Sequence, residues 1–271
     1  MKITCSWRSF RDAFENRSLD LFSFLALAAE LGFDGIEAGA CVFPSVSQRF
    51  LKELRGTVRV SPVEIAAISL ANDFARPEAS EREEQCDDII AWTFVCRDLG
   101  IPVLCTSTGE LREGTAEREA RARVYECYEK VLGAAERAGV TLAVRPGRGE
   151  RRLLRSCAEL TEMVMHFGSE SLQLSVDPRD FLKDSSPAAT EATYASLGRV
   201  ARLAAHSRLE VFDVEGKTAR GARSGVDLAR VVQVYREACY DRTVSLEYLG
   251  DGDDREALKE GVAELRKLTG G

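Results

Sequence analysis

The chain has 271 residues, of which 45% are hydrophobic and 30% charged, the composition of an ordinary globular protein with a sizeable core. Its net charge of -7 at pH 7 argues against nucleic acid or an anionic membrane as a partner, because both bind clustered positive charge. The sequence contains no run of about 20 apolar residues, the length that spans a membrane, and nothing after Met1 resembles a signal peptide. The eight cysteines form no CxxC pair and no ligand-like spacing, so we expect reduced, mostly buried thiols. These features predict a cytoplasmic protein that takes a small molecule as its partner.

Strand and helix patterns alternate along the whole chain. Amphipathic helices end at Gly32, Gly100 and Gly139, and a short β-rich run follows each, as expected for a left-handed helix end followed by a buried strand. The predicted strands lie near residues 2–6, 33–38, 64–70, 102–106, 140–145, 172–177, 207–213 and 243–247. The predicted helices lie near residues 19–31, 45–56, 80–99, 115–138, 155–167, 188–204, 227–238 and 254–268. This alternation predicts an α/β fold, a single-domain (β/α)8 TIM barrel over residues 1–271, with an open doubly wound sheet as the alternative.

Polar residues stand at several predicted strand ends, which is where the active sites of such barrels lie. Glu37 ends strand two, Arg145 ends strand five and Asp177 ends strand six. Glu210 lies in strand seven, and Glu247 ends strand eight. Charged groups are costly to bury unpaired, so these residues must pair with one another or bind a ligand. The sequence therefore predicts a polar centre where strands five to eight end.

Six segments carry a resemblance to a known family. They are ISLANDFARPE, IPVLCTSTGE, ERAGVTLAV, SLQLSVDPRDF, VFDVEG and VSLEYLGDGDD, and they are similar to strand-end motifs of the xylose isomerase-like barrels, the sugar isomerase/epimerase superfamily. In active members, Glu, Asp, His and Glu from strands five to eight hold a divalent metal, and two glutamates move a proton between neighbouring carbons. The resemblance implies that Asp177 and Glu247 occupy two of the four positions, where hard carboxylate oxygens suit Mg²⁺ or Mn²⁺.

Two positions depart from the family pattern. LAVRPG stands where the family usually has LALENH, so Arg145 takes the place of a glutamate ligand. EVFD stands where the family has HxKD, so Glu210 takes the place of the histidine while Asp213 keeps the aspartate. Because arginine has no lone pair to donate and repels a metal ion, we favour a site without metal. In this internal-cation hypothesis the Arg145 guanidinium lies among Asp177, Glu210 and Glu247; the alternative is Mn, Mg or Zn bound by those three carboxylates.

Other residues leave two interpretations open. Trp7 could wall a sugar pocket or cap the first loop, and Glu37 could contact substrate hydroxyls or pair with an arginine. Asn72 could cap a helix or reach the pocket, while Lys217 could hold an anion or stay in solvent. Neither of the two histidines, His166 and His206, falls at a predicted strand end, so we expect structural or surface roles for them rather than metal ligation or base catalysis.

Two functions follow from this sequence. The first is a sugar or polyol isomerase, epimerase or dehydratase that moves a proton next to a carbonyl. In it Glu247 is the acid/base, Glu210 the second base and Asp177 a substrate-orienting group, while Arg145 stabilises the enolate oxygen. The alternative is a non-catalytic barrel that binds an acidic sugar or similar metabolite through Arg145 and neighbouring arginines. Since barrels of this family often assemble as dimers or tetramers, we also expect that the chain can form a homo-oligomer.

Overall fold

The computed structural model describes residues 1–147, 151–181, 187–211, 227–250 and 253–270, and only the backbone of residues 187–190 and 211. Eight parallel strands close into a barrel in which each strand pairs with the next and β8 pairs with β1. The strands are β1 (Lys2–Ser6), β2 (Gly35–Gly39), β3 (Glu64–Ser69), β4 (Val103–Ser107), β5 (Thr141–Arg145), β6 (Leu172–Val176), β7 (Ala204–Val211) and β8 (Thr243–Tyr248). The closed topology confirms the predicted (β/α)8 barrel, and the open sheet is wrong.

Helices alternate with the strands, as the sequence predicts. They are α1 (Arg11–Glu15), α2 (Leu21–Glu30), α3 (Gln48–Val60), α4 (Ala79–Leu99), α5 (Glu117–Ala138), α6 (Cys157–Phe167), α7 (Pro187–Ala201), α8 (Leu228–Glu237) and α9 (Asp254–Thr269). Short 3-10 turns span Trp7–Phe10, Ala40–Val42 and Pro178–Asp180. The sequence analysis missed α1 and these turns because segments this short show no helical periodicity. Within the described ranges, no helix is both long and apolar enough to cross a membrane.

Glycines close several helices in the predicted manner. Gly100 and Gly139 follow α4 and α5 with φ values of 75° and 66°, and Gly32 follows α2 with φ 85°. A side chain is disfavoured in this left-handed conformation, which is why glycine stops the helix there. The strands behind these glycines are almost entirely buried, with β2 and β4 buried at every position. Burial on both faces is what a barrel strand covered by helices requires.

The inner face of the barrel carries the charged residues that build the site. Side chains alternate between the two faces of a strand, so His206, Arg208 and Glu210 of β7 share one face. The contacts described below place that face inside the barrel. β7 begins earlier than predicted, at Ala204 rather than near residue 207. His206 therefore lies within a strand and is fully buried, whereas the sequence analysis placed it just before the strand. The AAHS segment lacks the β-branched run that would have indicated a strand.

Candidate functional site

A cavity of about 240 Å³ lies at the carboxyl ends of the strands, and we call it the inner cavity. Its lining is rich in charge: arginines outnumber carboxylates. The arginines are Arg8, Arg145, Arg152, Arg179 and Arg208, and the carboxylates are Asp177, Asp180 and Glu247. Active sites of (β/α)8 barrels lie at this end. The inner cavity is lined by Arg145, Asp177 and Glu247, three of the four residues of the predicted polar centre.

The guanidinium of Arg179 lies among the three predicted carboxylates. Its Nε donates to the two oxygens of Asp177 at 3.0 and 3.1 Å, and its Nη2 donates to Asp177 at 2.6 Å. Nη2 also donates to Glu247 at 2.9 Å, and Nη1 donates to Glu210 at 2.6 Å. One planar fork thus makes charge-assisted hydrogen bonds to three side chains from different strands. The sequence analysis expected a guanidinium here, but it assigned it to Arg145, and that assignment is wrong.

The turn after β6 brings Arg179 into this position. Asp177 caps the 3-10 turn Pro178–Asp180, and its carboxylate accepts a hydrogen bond from the backbone N–H of Arg179 at 3.0 Å. Pro178, at the start of the turn, fixes its own φ and needs no N–H donor there. Asp177 therefore positions Arg179 through both its backbone and its side chain. The Asp-Pro sequence was the available signal for this turn, since an Asp cap followed by proline is typical of a helical start.

Glu247 is held from two sides. Arg8, in the turn after β1, donates to its Oε1, and Arg179 donates to its Oε2. The Glu247 side chain is only 1% exposed. Both oxygens of Glu247 are therefore engaged by guanidinium groups. The sequence analysis did not name Arg8 as a site residue, and no local pattern near Trp7 points to a partner on β8.

The carboxylates near Arg179 titrate differently. Burial favours a raised pKa for Asp177, but the Arg179 guanidinium outweighs it and holds the pKa of Asp177 below its usual value. Burial raises the pKa of Glu210 in spite of Arg179. Burial, and then the neighbouring charge of Asp177, raises the pKa of Asp180 to about 6, although Arg152 opposes the shift. Arg152 donates to the carboxylate of Asp180 and, at 2.9 Å, to its backbone carbonyl.

These residues do not fit the divalent ion that the family resemblance implies. A metal would need the oxygens of Asp177, Glu210 and Glu247 at about 2.0–2.6 Å, where the Arg179 guanidinium now binds all three. Arg145 takes the fourth strand-end position and cannot coordinate a metal. In the part of the chain that the structure describes, no cluster of three His, Cys, Asp or Glu side chains is arranged for a metal ion.

A fully buried ion pair lies beneath the inner cavity. Arg208 donates to both oxygens of Glu37, at 3.3 Å from Nε and also through Nη2. His206 places Nε2 3.4 Å from the Glu37 carboxylate, within ion-pair distance but without hydrogen-bond geometry, and Nδ1 3.2 Å from Ser175 Oγ. Glu37 thus pairs with an arginine, one of the two interpretations that its sequence position left open. Its side chain is 0% exposed, so in this structure it has no access to a ligand.

Neighbouring groups set the titration of this layer. Although burial opposes protonation of His206, Cys105 and Glu37 raise its pKa to about 9. Burial also opposes ionisation of Glu37, but Arg208 and His206 hold the pKa of Glu37 well below its usual value. Glu37 is therefore a buried carboxylate that both Arg208 and His206 stabilise.

Arg145, at the end of β5, has no ionic partner among the residues that the structure describes. Its Nε is buried and has no hydrogen-bond partner, and no carboxylate among the described residues lies within 4.0 Å of its guanidinium. Burial, followed by the nearby charge of Arg208, lowers the pKa of Arg145. The side chain lines the inner cavity and two neighbouring cavities. Arg145 is thus a cation at the cavity wall with unused hydrogen-bonding capacity.

The remaining predicted site residues have varied surroundings. The indole N–H of Trp7 donates to Ser69 Oγ at 3.1 Å, and its ring packs so closely on Gly39 that an added Cβ there would lie 2.5 Å from Cε2. Asn72 has both ends of its amide bound to the backbone of Ser107, each at 2.7 Å, so it links the ends of β3 and β4. Its predicted contact with substrate, and that of Trp7, stay predictions. Lys217 and Asp213 lie outside the described residues.

The fold and part of the sequence match known proteins. A family model described as xylose isomerase-like TIM barrel matches residues 25–268. D-psicose 3-epimerase with D-tagatose from Clostridium cellulolyticum superposes with a TM-score of 0.81 at 13% identity, covering 99% of this chain and 99% of that chain. The 3-keto-D-glucoside 4-epimerase from E. coli gives a TM-score of 0.77 at 14% identity, covering 98% and 99%.

An IolI protein described with a zinc atom gives a TM-score of 0.77 at 16% identity, covering 99% of this chain and 98% of that chain. No curated protein matches the chain in sequence. At such low identities the solved structures show a shared fold only, whereas the family model rests on the sequence and covers most of the chain. The chain belongs to the xylose isomerase-like TIM barrel family.

Proposed function

We propose that the protein is a metal-independent member of its family that binds a small sugar acid, or a similar anionic metabolite, in the inner cavity. The observation that carries this proposal is Arg145, whose guanidinium lines the cavity with a buried, unpartnered Nε. A buried donor without a partner is costly. A ligand carboxylate would satisfy it, because the planar guanidinium fork matches carboxylate geometry.

The lining of the cavity supports the same ligand charge. Five arginines line it against three carboxylates, Asp177, Asp180 and Glu247. Most of these arginines are largely buried, so their field acts on the cavity with reduced screening. An anionic ligand is therefore favoured over a neutral sugar of the same shape. The same field disfavours a divalent cation, in agreement with the Arg179 ion pairs above.

A second candidate function is proton transfer next to a carbonyl, the chemistry of an isomerase or epimerase. Its specific support is Asp180, which lines the inner cavity and has a pKa raised to about 6, near the value that suits a general acid and base. The Asp180 carboxylate would remove the proton from the carbon next to the carbonyl. The electron pair would move onto the carbonyl oxygen, where Arg145 would donate a hydrogen bond.

Returning the proton from Asp180 to a neighbouring carbon would complete an isomerisation, whereas an epimerisation would need a second group to protonate the other face of the same carbon. Glu247, the leading acid/base candidate from sequence, fits this role less well because Arg8 and Arg179 engage both of its oxygens. Glu210 has a raised pKa and fits the role of the second base better than Glu247. The ion pairs of Glu247 favour a positioning role for it.

Calorimetric titration with D-glucuronate and D-glucose tests the binding proposal. These sugars differ in a carboxylate, so the wild type should bind D-glucuronate about 10- to 100-fold more tightly, and a chelator should not change this. The Arg145→Gln variant should lose that preference. Arg59→Gln is the matched control, since Arg59 is an exposed arginine near the end of α3. Equal affinity for both sugars, or an Arg145→Gln variant that binds as the wild type does, would contradict the proposal.

Deuterium incorporation separates the two candidate functions. In D₂O, an enzyme of the proposed kind should exchange the hydrogen next to the aldehyde of D-glucuronate, and NMR would detect the loss of that signal. Asp180→Asn should abolish exchange while D-glucuronate still binds. Binding without any exchange in the wild type would reject proton transfer on this sugar and leave the binding function.

A further inference from the structure

A much larger cavity, of about 1010 Å³, opens beside the inner cavity, and we call it the outer cavity. Arg8 and Arg145 line both cavities, so the two spaces adjoin. The outer cavity lies among the segments that follow β1, β2 and β3, namely the turn Trp7–Phe10 with α1, the turn Ala40–Val42, and residues 69–71. A ligand bound at Arg145 therefore lies next to the outer cavity.

The sizes of the two cavities differ in a way that bears on the ligand. Sites for drug-sized molecules usually measure about 300–1,000 Å³. The inner cavity, at about 240 Å³, is below this range and has room for one molecule of sugar size. The outer cavity, at about 1010 Å³, is at its upper end. A sugar acid alone would leave most of the available space filled with water.

The outer cavity has an apolar wall. Its apolar lining includes Phe14, Leu19, Val42, Phe43, Pro44 and Leu70. Phe43 is fixed by edge contacts with Trp92, at a centroid distance of 5.1 Å, and with Phe50, at 6.3 Å. Phe14 makes a similar contact with Phe24 at 5.4 Å. Rings held in this way form a wall before any ligand binds, so burying an apolar group there costs little further ordering.

The charged groups of the outer cavity agree with those of the inner one. Four arginines line it, Arg8, Arg11, Arg17 and Arg145, against two carboxylates, Glu15 and Asp20. Arg11 and Glu15 pair with each other at 3.2 Å, which leaves the cationic side in excess. A positively charged or strongly hydrophilic ligand fits this lining poorly. An anion with an apolar extension fits it well.

We propose that the outer cavity is a subsite for the apolar part of the ligand. The ligand class is then a sugar-like anionic head joined to an apolar, planar group, as in an aryl glycoside of a sugar acid. The head lies in the inner cavity at Arg145, and the apolar group extends past Arg8 toward Phe43 and Phe14. This inference rests on the proposed function, since Arg145 sets the position of the head.

Calorimetry with methyl β-D-glucuronide and 4-nitrophenyl β-D-glucuronide tests the subsite. The two probes share the anionic head, and the aryl ring buries on the order of 100 Å² more apolar surface, so it should bind on the order of 50-fold more tightly. Phe43→Ser should remove most of this difference and leave methyl glucuronide affinity within about twofold, a range expected for a side chain outside the head's site. Val60→Ser, at an apolar side chain that is 84% exposed on α3, is the matched control.

Thiol labelling of the wild-type protein locates the aryl group without any substitution. Cys41 and Cys239 are both exposed, and only Cys41 lines the outer cavity among the described residues. Partial burial nevertheless raises the pKa of the Cys41 thiol. Alkylation with iodoacetamide is therefore carried out at an alkaline pH, where more thiolate forms, and is followed by peptide mass spectrometry. Saturating aryl glucuronide should slow labelling of Cys41 at least about tenfold, and methyl glucuronide should not. Cys239 should react at an unchanged rate with either probe.

Each result decides a different claim. If methyl glucuronide binds through Arg145 but the aryl probe binds no more tightly and leaves Cys41 reactive, the subsite is overturned and the anion site stands. If neither D-glucuronate nor methyl glucuronide binds, the proposed function is contradicted and the subsite falls with it; if D-glucuronate binds but neither glycoside does, the subsite alone is overturned. Tighter binding of the aryl probe together with protection of Cys41 supports both.

Discussion

Replacing Arg179 with methionine removes the cation at the centre of the site while keeping a side chain of similar length. Asp177, Glu210 and Glu247 would then lose the guanidinium that binds all three, and among the described residues only Glu247 would keep another arginine partner, Arg8. Breaking a buried ion pair from one side typically costs about 3–5 kcal/mol. Because the Arg179 side chain is 28% exposed, we expect a loss near the lower end, about 3 kcal/mol at pH 7.

Urea denaturation followed by circular dichroism measures this loss. With a slope of about 3 kcal/mol per M, the midpoint should fall by about 1 M. Arg179 holds the pKa of Asp177 below its usual value, so this stabilisation is present above the unfolded pKa of about 3.9 and is lost as the pH falls through the folded value. The difference between Arg179→Met and the wild type should therefore be similar at about pH 5 and pH 7 and should shrink as the pH falls below about 3.9.

Two variants serve as controls for this experiment. Arg179→Lys keeps the charge but lacks the planar fork, so it should recover part of the stability and not all of it. Arg59→Met changes an exposed arginine and should shift the midpoint by no more than about 0.2 M, the effect of an ordinary surface change. If Arg179→Met unfolds at the same midpoint as Arg59→Met, the guanidinium does not neutralise the three carboxylates and the reasoning is refuted.

Three further predictions concern His206, Gly39 and Asn72. His206, with a pKa raised to about 9, should contribute about 3 kcal/mol of stability that is fully present below pH 6.5 and lost as the pH rises through 9. The unfolding free energy of His206→Gln should therefore change less with pH between 6.5 and 9 than that of the wild type. An equal pH dependence of the two proteins would count against a charged imidazole. Gly39→Ala should push Trp7 from its place and cost about 1–3 kcal/mol, with a shift in tryptophan emission; an unchanged spectrum would show that the ring does not pack there as described. Asn72→Ala should lower the free energy of unfolding by about 1–3 kcal/mol because two hydrogen bonds to Ser107 are lost, and it should change D-glucuronate affinity little. A large loss of affinity without destabilisation would instead support Asn72 as a ligand contact.

The sequence predicted the barrel well because its signals are local. Glycines such as Gly100 and Gly139 end helices, and a buried run follows each, so strand and helix could be placed from neighbouring residues. The start of β7 was the main error, because Ala204 and His206 belong to a segment without β-branched residues. That error hid a fully buried histidine within the barrel.

The partners inside the site could not be predicted from local pattern. Glu37 on β2 pairs with Arg208 on β7 across the barrel, and Arg8 reaches Glu247 from the turn after β1. Such contacts depend on which side chains face inward at the same height, a property of the closed barrel rather than of any segment. Arg179 was missed because it lies two residues beyond Asp177, the predicted end of strand six.

The Arg179 ion pairs with Asp177, Glu210 and Glu247 are the feature that most distinguishes the described part of this chain from the family pattern. The Arg179 guanidinium uses the oxygens that a metal would need, and Arg145 stands at the fourth position. Substituting Arg179 with serine would free Asp177, Glu210 and one oxygen of Glu247, which keeps its contact with Arg8, and would leave space between the three carboxylates. Divalent metal should then stabilise this variant and not the wild type.

The most direct test is elemental analysis of the wild-type protein after incubation with excess Mn²⁺ and removal of unbound metal by gel filtration. We expect far less than one Mn, Mg or Zn ion per chain, together with unchanged D-glucuronate binding after treatment with a chelator. About one tightly bound divalent ion per chain, lost on Asp177→Asn, would contradict the account.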